Sequence, residues 1–150
     1  MKSYVDIPPV WLACAIAVAW LQGRYAPFGL SVDHPVTRGL AGALIGAGLV
    51  LIALAAWEFL RARTTIIPHQ TPHALITRGV FGVTRNPIYL ADALILAGFV
   101  LRFDAVVSLV LVPLFVWWIE RRFIVAEEDR MRRVFRAKFA QYERKVRRWV

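Results

Sequence analysis

From Leu40 to Leu60 the chain carries a single charged side chain, Glu58, in a run that would be roughly 30 Å long as a helix. That length matches the hydrocarbon core of a bilayer. It constrains the fold more than any other stretch, because in lipid every backbone N–H and C=O must find a partner within the protein. Three further apolar runs accompany it. Pro9 to Leu21 opens with prolines suited to a first helical turn. Ile88 to Leu101 and Ala105 to Ile119 are divided by Arg102-Phe103-Asp104, and each would be only about 21–23 Å long as helix. With flanking residues included, they read as a complete helical hairpin. A hydrophobic content of 59% and a mean hydropathy of +0.54 agree with several spans rather than a soluble domain. The expectation is a single all-α domain over residues 1–150, a polytopic membrane protein with about four transmembrane helices (two N-terminal, then the hairpin) and a C-terminal amphipathic cytoplasmic helix.

Charge sets the expected orientation. The net charge is +9. With that topology the N-terminus, the loop 61–87 and the C-terminal helix share one side and hold most of the Lys and Arg, while Arg24, Arg38 and Arg102 face the other. The positive-inside rule puts the rich side in the cytoplasm, facing anionic lipid headgroups. So lipid-like a chain argues against nucleic acid as the partner. Residues 1–26 read as a retained first helix, since Asp6, Pro8 and Pro9 do not suit a signal peptide. Cys14 is alone, so there is no disulfide framework or thiolate cluster. His69 and His73 have the i, i+4 spacing of a helical metal pair, but Pro68 and Pro72 argue against a helix there and no metal is expected.

Gly42 and Gly46 form a small-residue face suited to close helix packing. The long polar connection 61–87 leads into the next apolar run through Thr84-Arg85-Asn86-Pro87-Ile88-Tyr89. Asn86 is a suitable N-cap and Pro87 a suitable first residue for a helix, which accounts for both structurally. A helix start with Arg85 beside it also suits an anion, and Tyr89 adds a ring and a hydroxyl. From Glu120 onward, one helical face collects Ile124, Glu128, Met131, Phe135, Phe139, Tyr142 and Val146, with Arg133, Arg136, Arg144, Arg147 and Arg148 well away from it. Glu127 on the flank and Asp129 suit an ordinary salt-bridged helix start. Glu128, in the middle of the apolar face, needs a cationic or polar partner.

Taken together, Leu75-Ile76-Thr77-Arg78-Gly79-Val80-Phe81, the Thr84–Tyr89 turn, the hairpin, Glu127-Glu128, and then Phe135, Phe139, Tyr142, Val146 and Arg148 resemble the isoprenylcysteine carboxyl methyltransferase and phospholipid methyltransferase superfamily, most of all its small bacterial members. The resemblance covers roughly residues 64–149. It implies a polytopic helical methyltransferase that uses S-adenosylmethionine without a Rossmann domain. By position, Arg85, Asn86, Pro87, Tyr89 and Tyr142 would belong to the cofactor pocket. Glu127 and Glu128 would meet the cofactor's ammonium end or shape the site, and Arg133 would lie where prenylcysteine enzymes orient a substrate carboxylate. Those enzymes carry His where this chain has Asn86, which can hydrogen-bond but cannot titrate.

The chemistry so implied is in-line methyl transfer to a lipophilic acceptor entering from the bilayer: a prenylcysteine-type carboxylate, a phospholipid amine or a small lipophilic thiol. It depends on alignment and a dry site. An amine or thiol acceptor needs a base, for which Glu128 is the first candidate, with Glu127 and Arg133 completing the catalytic set. The rival reading is a non-catalytic helical scaffold whose basic C-terminal helix binds anionic lipid or a partner. A more distant one is a reductase-like relative that would need a nicotinamide cofactor.

Overall fold

A computed structural model describes residues 6–64 and 73–150 of the chain. His69, Pro68 and Pro72 lie outside the described residues, so the His69–His73 spacing has no structural counterpart here. The order is α1 (Pro8–Tyr25), α2 (Pro35–Ala62), a 3-10 turn (Gly79–Gly82), α3 (Pro87–Arg102), a second 3-10 turn (Val106–Val110), α4 (Leu111–Ile119), a π turn (Glu120–Ile124), α5 (Val125–Phe135) and α6 (Ala137–Lys145).

Proline opens α1, α2 and α3, its fixed φ and missing N–H matching the first helical turn. His34 caps α2, its Nδ1 accepting the N–H of Val36 at 3.2 Å. Asn86 occupies the N-cap position of α3 but does not cap it. Its side-chain amide turns away and donates to the Arg148 carbonyl at 3.0 Å.

Among the described residues α2 alone is both long and apolar enough to cross a bilayer. The other apolar runs fall short of the expectation for identifiable reasons. α1 has 18 residues but closes on Gln22-Gly23-Arg24. α3 has 16. The run expected as a helix from Ala105 loses its first turn to 3-10 geometry, leaving nine residues for α4. Leu40, Leu49, Val50, Leu54 and Trp57 of α2 nevertheless face outward, together with Leu114 and Trp117 of α4.

α2 and α3 pack through two reciprocal close approaches. A Cβ on Gly48 would stand 2.5 Å from Ile95 Cγ1 and 2.8 Å from the Ala91 carbonyl, and one on Gly98 would stand 2.6 Å from Ile45 Cγ1 and 2.8 Å from the Ala41 carbonyl. This corrects the sequence expectation for Gly42 and Gly46, which border open space. The stripe against α3 runs through Ala41, Ile45 and Gly48, a different face of the same helix. Loops at one end of the bundle meet where the Val32 N–H donates to Asp104 at 2.7 Å, and Asp6 pairs with Arg122 at the other end. The core joins Ala19 of α1, Tyr89, Leu96 and Val100 of α3, and Phe115 and Ile119 of α4 to Phe123 and Ile124 of the π turn.

α4, the π turn and α5 run on without a break, so the basic helix continues the second leg of the hairpin. The extra residue of the π turn resets the buried stripe. Phe115 and Ile119 are buried before it, Phe123 and Ile124 within it, and Glu128 after it. An uninterrupted α-helix would have carried that stripe towards Glu127 instead.

The single C-terminal helix expected from periodicity is broken at Arg136, whose φ of 44° and ψ of −116° lie in a region that favours glycine. The break lets α6 fold back, so that Phe139, Tyr142 and Val146 form a second cluster with Leu75, Met131 and Phe135. α6 ends at Lys145 and Val146 is extended. Arg148 therefore leaves the helical wheel that had assigned it to solvent.

Candidate active site

Folding of the hairpin brings the Thr84–Tyr89 turn onto α5. The C-terminal segment then straps the turn in place. The Arg85 N–H donates to the Arg147 carbonyl at 3.0 Å, and the Arg148 carbonyl accepts from Thr84 Oγ1 at 3.2 Å as well as from Asn86. Thr84 Oγ1 also accepts the N–H of Asn86 at 3.2 Å. Pro87 is fully buried under this strap.

Glu128, 4% exposed, lies at the centre. Arg148 grips it with two donors, Nε to Oε1 at 3.1 Å and Nη2 to Oε2 at 2.7 Å. Arg85 Nη2 reaches Oε1 at 3.2 Å, and Arg132 Nη2 reaches Oε2 at 3.4 Å. Bidentate guanidinium contacts are among the stronger polar interactions available and make a buried carboxylate tolerable. The network extends outward. Arg148 also donates to Glu120 at 2.7 Å, and Trp149 Nε1 donates to the other Glu120 oxygen at 2.8 Å. Arg85 and Arg132 both meet Glu143 Oε1, at 2.8 and 2.7 Å. The Arg132 hydrogen bond, and after it Arg85, holds the Glu143 carboxyl below its ordinary range. The hydrogen bond to Glu128 correspondingly raises Arg148.

Beside this knot, Tyr89 Oη donates to Glu127 Oε1 at 2.8 Å across 38 positions of sequence. Tyr142 Oη donates to the Phe81 carbonyl at 2.6 Å, and burial raises its phenol. Tyr142 and Phe135 also line a cavity of about 680 Å³ between the His73–Thr77 segment and α6, with Leu75, Gln141, Lys138 and Lys145 around it. Glu58 at the end of α2 fixes the approach to the turn. Its Oε2 accepts from Arg78 Nε at 3.0 Å, and Gly79, at φ +58°, passes so close that a Cβ would sit 2.6 Å from Oε1.

Of the residues singled out from sequence, Arg85, Asn86, Pro87, Tyr89, Glu127 and Glu128 come together around the start of α3, and Tyr142 joins them through Phe81. Arg133 stays exposed on α5. Sequence reasoning missed Glu143 and Glu120, and it counted Arg148 in the resemblance without giving it a place in the site. The signal for Arg148 was the demand of a buried Glu128 for a counter-charge, which the assumption of one continuous helix concealed.

The sequence model of the phospholipid methyltransferase family matches residues 36–138, from the start of α2 into α6. No curated protein and no solved structure matches the chain. The matched stretch takes in the turn, the hairpin and the carboxylate pair, and on that match the chain belongs to the phospholipid methyltransferase family, within the isoprenylcysteine carboxyl and phospholipid methyltransferase superfamily, and is a membrane methyltransferase that uses S-adenosylmethionine and acts on a lipid acceptor.

Proposed function

We propose that this enzyme methylates the amine of a lipid at a site formed at one membrane face by the Thr84–Tyr89 turn and the start of α5. The observation that carries the reading is the division of labour among the charges. Arg85, Arg132 and Arg148 spend their guanidiniums on Glu128, Glu143 and Glu120, which leaves them poorly placed to hold an acceptor carboxylate. Glu127, held by the Tyr89 hydroxyl, offers the proton acceptor that an amine needs.

The residues present fit the cofactor. The cavity beside Tyr142 lies within the size range of small-molecule sites. It offers the Phe135 and Tyr142 rings to a base or a sulfonium, and Lys138, Gln141 and Lys145 to polar ends. Among the described residues Arg85 Nε is sealed without a hydrogen-bond partner, a deficit of about 1–3 kcal/mol that a nearby acceptor would relieve. When bound, S-adenosylmethionine supplies a methyl group on a sulfonium, open to in-line displacement. The residues of the chain do the rest. Glu127 takes the proton from the acceptor ammonium, so that a neutral nitrogen lone pair faces the methyl carbon. Tyr89 keeps the Glu127 carboxylate aimed. The Glu128 knot holds turn, α5 and tail together, and with Asn86 and Pro87 it shapes the wall and keeps water out.

Residues 1–150 act as one integral-membrane domain in this reading, with the cofactor held within about 64–149. α1, α3 and α4 complete a bundle of four spans with α2, with N-terminus, site and C-terminal helix on the cytoplasmic side of a bacterial inner membrane. Exposed Arg133, Arg136, Arg144 and Arg147 then face anionic headgroups. The test is incubation of the reconstituted protein with labelled methyl donor and separate amine, carboxylate and thiol lipids. Label on the amine lipid, with kcat lowered about a hundredfold by Glu127→Gln, is the expected result. Label confined to the carboxylate or thiol lipids overturns the reading.

A further inference from the structure

Resting on the reading of the acceptor as a lipid amine, we infer that Asp92, one helical turn beyond Tyr89, is the carboxylate that receives the ammonium of the acceptor headgroup. Asp92 is 5% exposed, inside an apolar bundle. Among the described residues it forms no hydrogen bond and no ion pair. The other buried carboxylates do not share that condition: Glu58 has Arg78 and Arg61, and Glu128 has three arginines. The one sealed polar side-chain atom without a partner among the described residues is Arg85 Nε, so the Asp92 oxygens, though nearly buried, are not fully sealed. A lone carboxylate at membrane depth is costly, and such groups ordinarily face an interior path with a partner of opposite charge.

Its surroundings identify the partner. Asp92 follows Tyr89 at i+3 on α3, so the two share a face and lie about 4.5 Å apart along the axis. Its charge and that of Glu127 both act on the Tyr89 hydroxyl, with Arg130 the opposing charge. A small cation entering between the helices therefore meets two carboxylates around one phenol. Asp92 holds it from the membrane side, while Glu127, at the start of α5, takes its proton. A carboxylate or phosphate at this point would meet like charge on both sides. The arrangement selects a primary or partly methylated amine over an anionic headgroup.

The experiment uses the full chain in phosphatidylglycerol nanodiscs with increasing phosphatidylethanolamine, comparing wild type, Asp92→Asn and Asp92→Glu. A rise of about tenfold in KM for the amine lipid in Asp92→Asn, with kcat and cofactor affinity changed less than about twofold and recovery in Asp92→Glu, is the expected result. An unchanged KM in Asp92→Asn overturns the inference while the amine reading stands. A wild type that binds cofactor but transfers methyl only to non-amine lipids overturns the amine reading and the inference with it. Should the variants fail to fold, wild-type protein is treated with the bilayer-soluble reagent dicyclohexylcarbodiimide. Modification of Asp92 that phosphatidylethanolamine suppresses supports the assignment, and modification indifferent to it, or none at Asp92, overturns it.

Discussion

At the scale of single residues, Glu128 concentrates the consequences. A carboxylate this buried is stable only while its guanidiniums stay in place, and Arg148 makes the closest contacts with it. Arg148→Ala is predicted to cost about 2–3 kcal/mol, because it leaves Glu128 with two weaker partners and frees the Glu120 pair with Trp149. Arg133→Ala, at an exposed position, should stay within about 0.5 kcal/mol. Thermal unfolding in detergent compares the two, and equal shifts would contradict the assignment. Glu143 gives the network a pH signature. Its folded carboxyl lies below the ordinary value near 4.5, with Arg132 the leading cause. Its stabilising contribution is therefore present above that value and is lost as pH falls through it and below. Wild type should lose more stability than Glu143→Gln between about pH 6 and about pH 3, and parallel curves would show that the Glu143 contacts do not persist in solution.

At the scale of elements, the α2–α3 seam is constrained by close packing and the bend at Arg136 by its backbone conformation. Gly98→Ala places a Cβ against the Ala41 carbonyl and Ile45 and should cost about 1–3 kcal/mol, whereas Gly42→Ala, facing open space, should not. Arg136→Gly relieves a backbone conformation that disfavours side chains and should stabilise by about 1 kcal/mol. Thermal unfolding of the three variants reads both effects. These elements also show what a sequence can and cannot disclose. Apolar length revealed α2 and overestimated the hairpin, whose second leg keeps only nine residues as α4, and Pro87 marked the start of α3 correctly. Periodicity placed Glu128 on the buried face because its neighbours Ile124 and Met131 are spaced for it. The same periodicity carried through Arg136 as if no bend existed, since nothing local to an arginine announces a left-handed residue. Likewise the wheel has no means of registering a π turn, and Asn86 reads as a cap by type although a segment 62 positions away claims its amide.

At the scale of the whole molecule, the fold places a polar knot at the end of an apolar bundle whose outer surface suits lipid. On the proposed reading, reaction at that boundary accounts for why the enzyme is embedded, with an acceptor that arrives sideways from the bilayer and need not leave it. The account requires that the first turn of α3 and the start of α5 act as one catalytic unit. The most direct measurement is a double-mutant cycle on methyl transfer to the amine lipid, using Tyr89→Phe, Glu127→Gln and the pair together. If the hydroxyl works by aiming the carboxylate, the double variant should be no slower than Glu127→Gln alone, with a coupling of about 1 kcal/mol or more. Strictly additive losses, or full activity in Glu127→Gln, would contradict it.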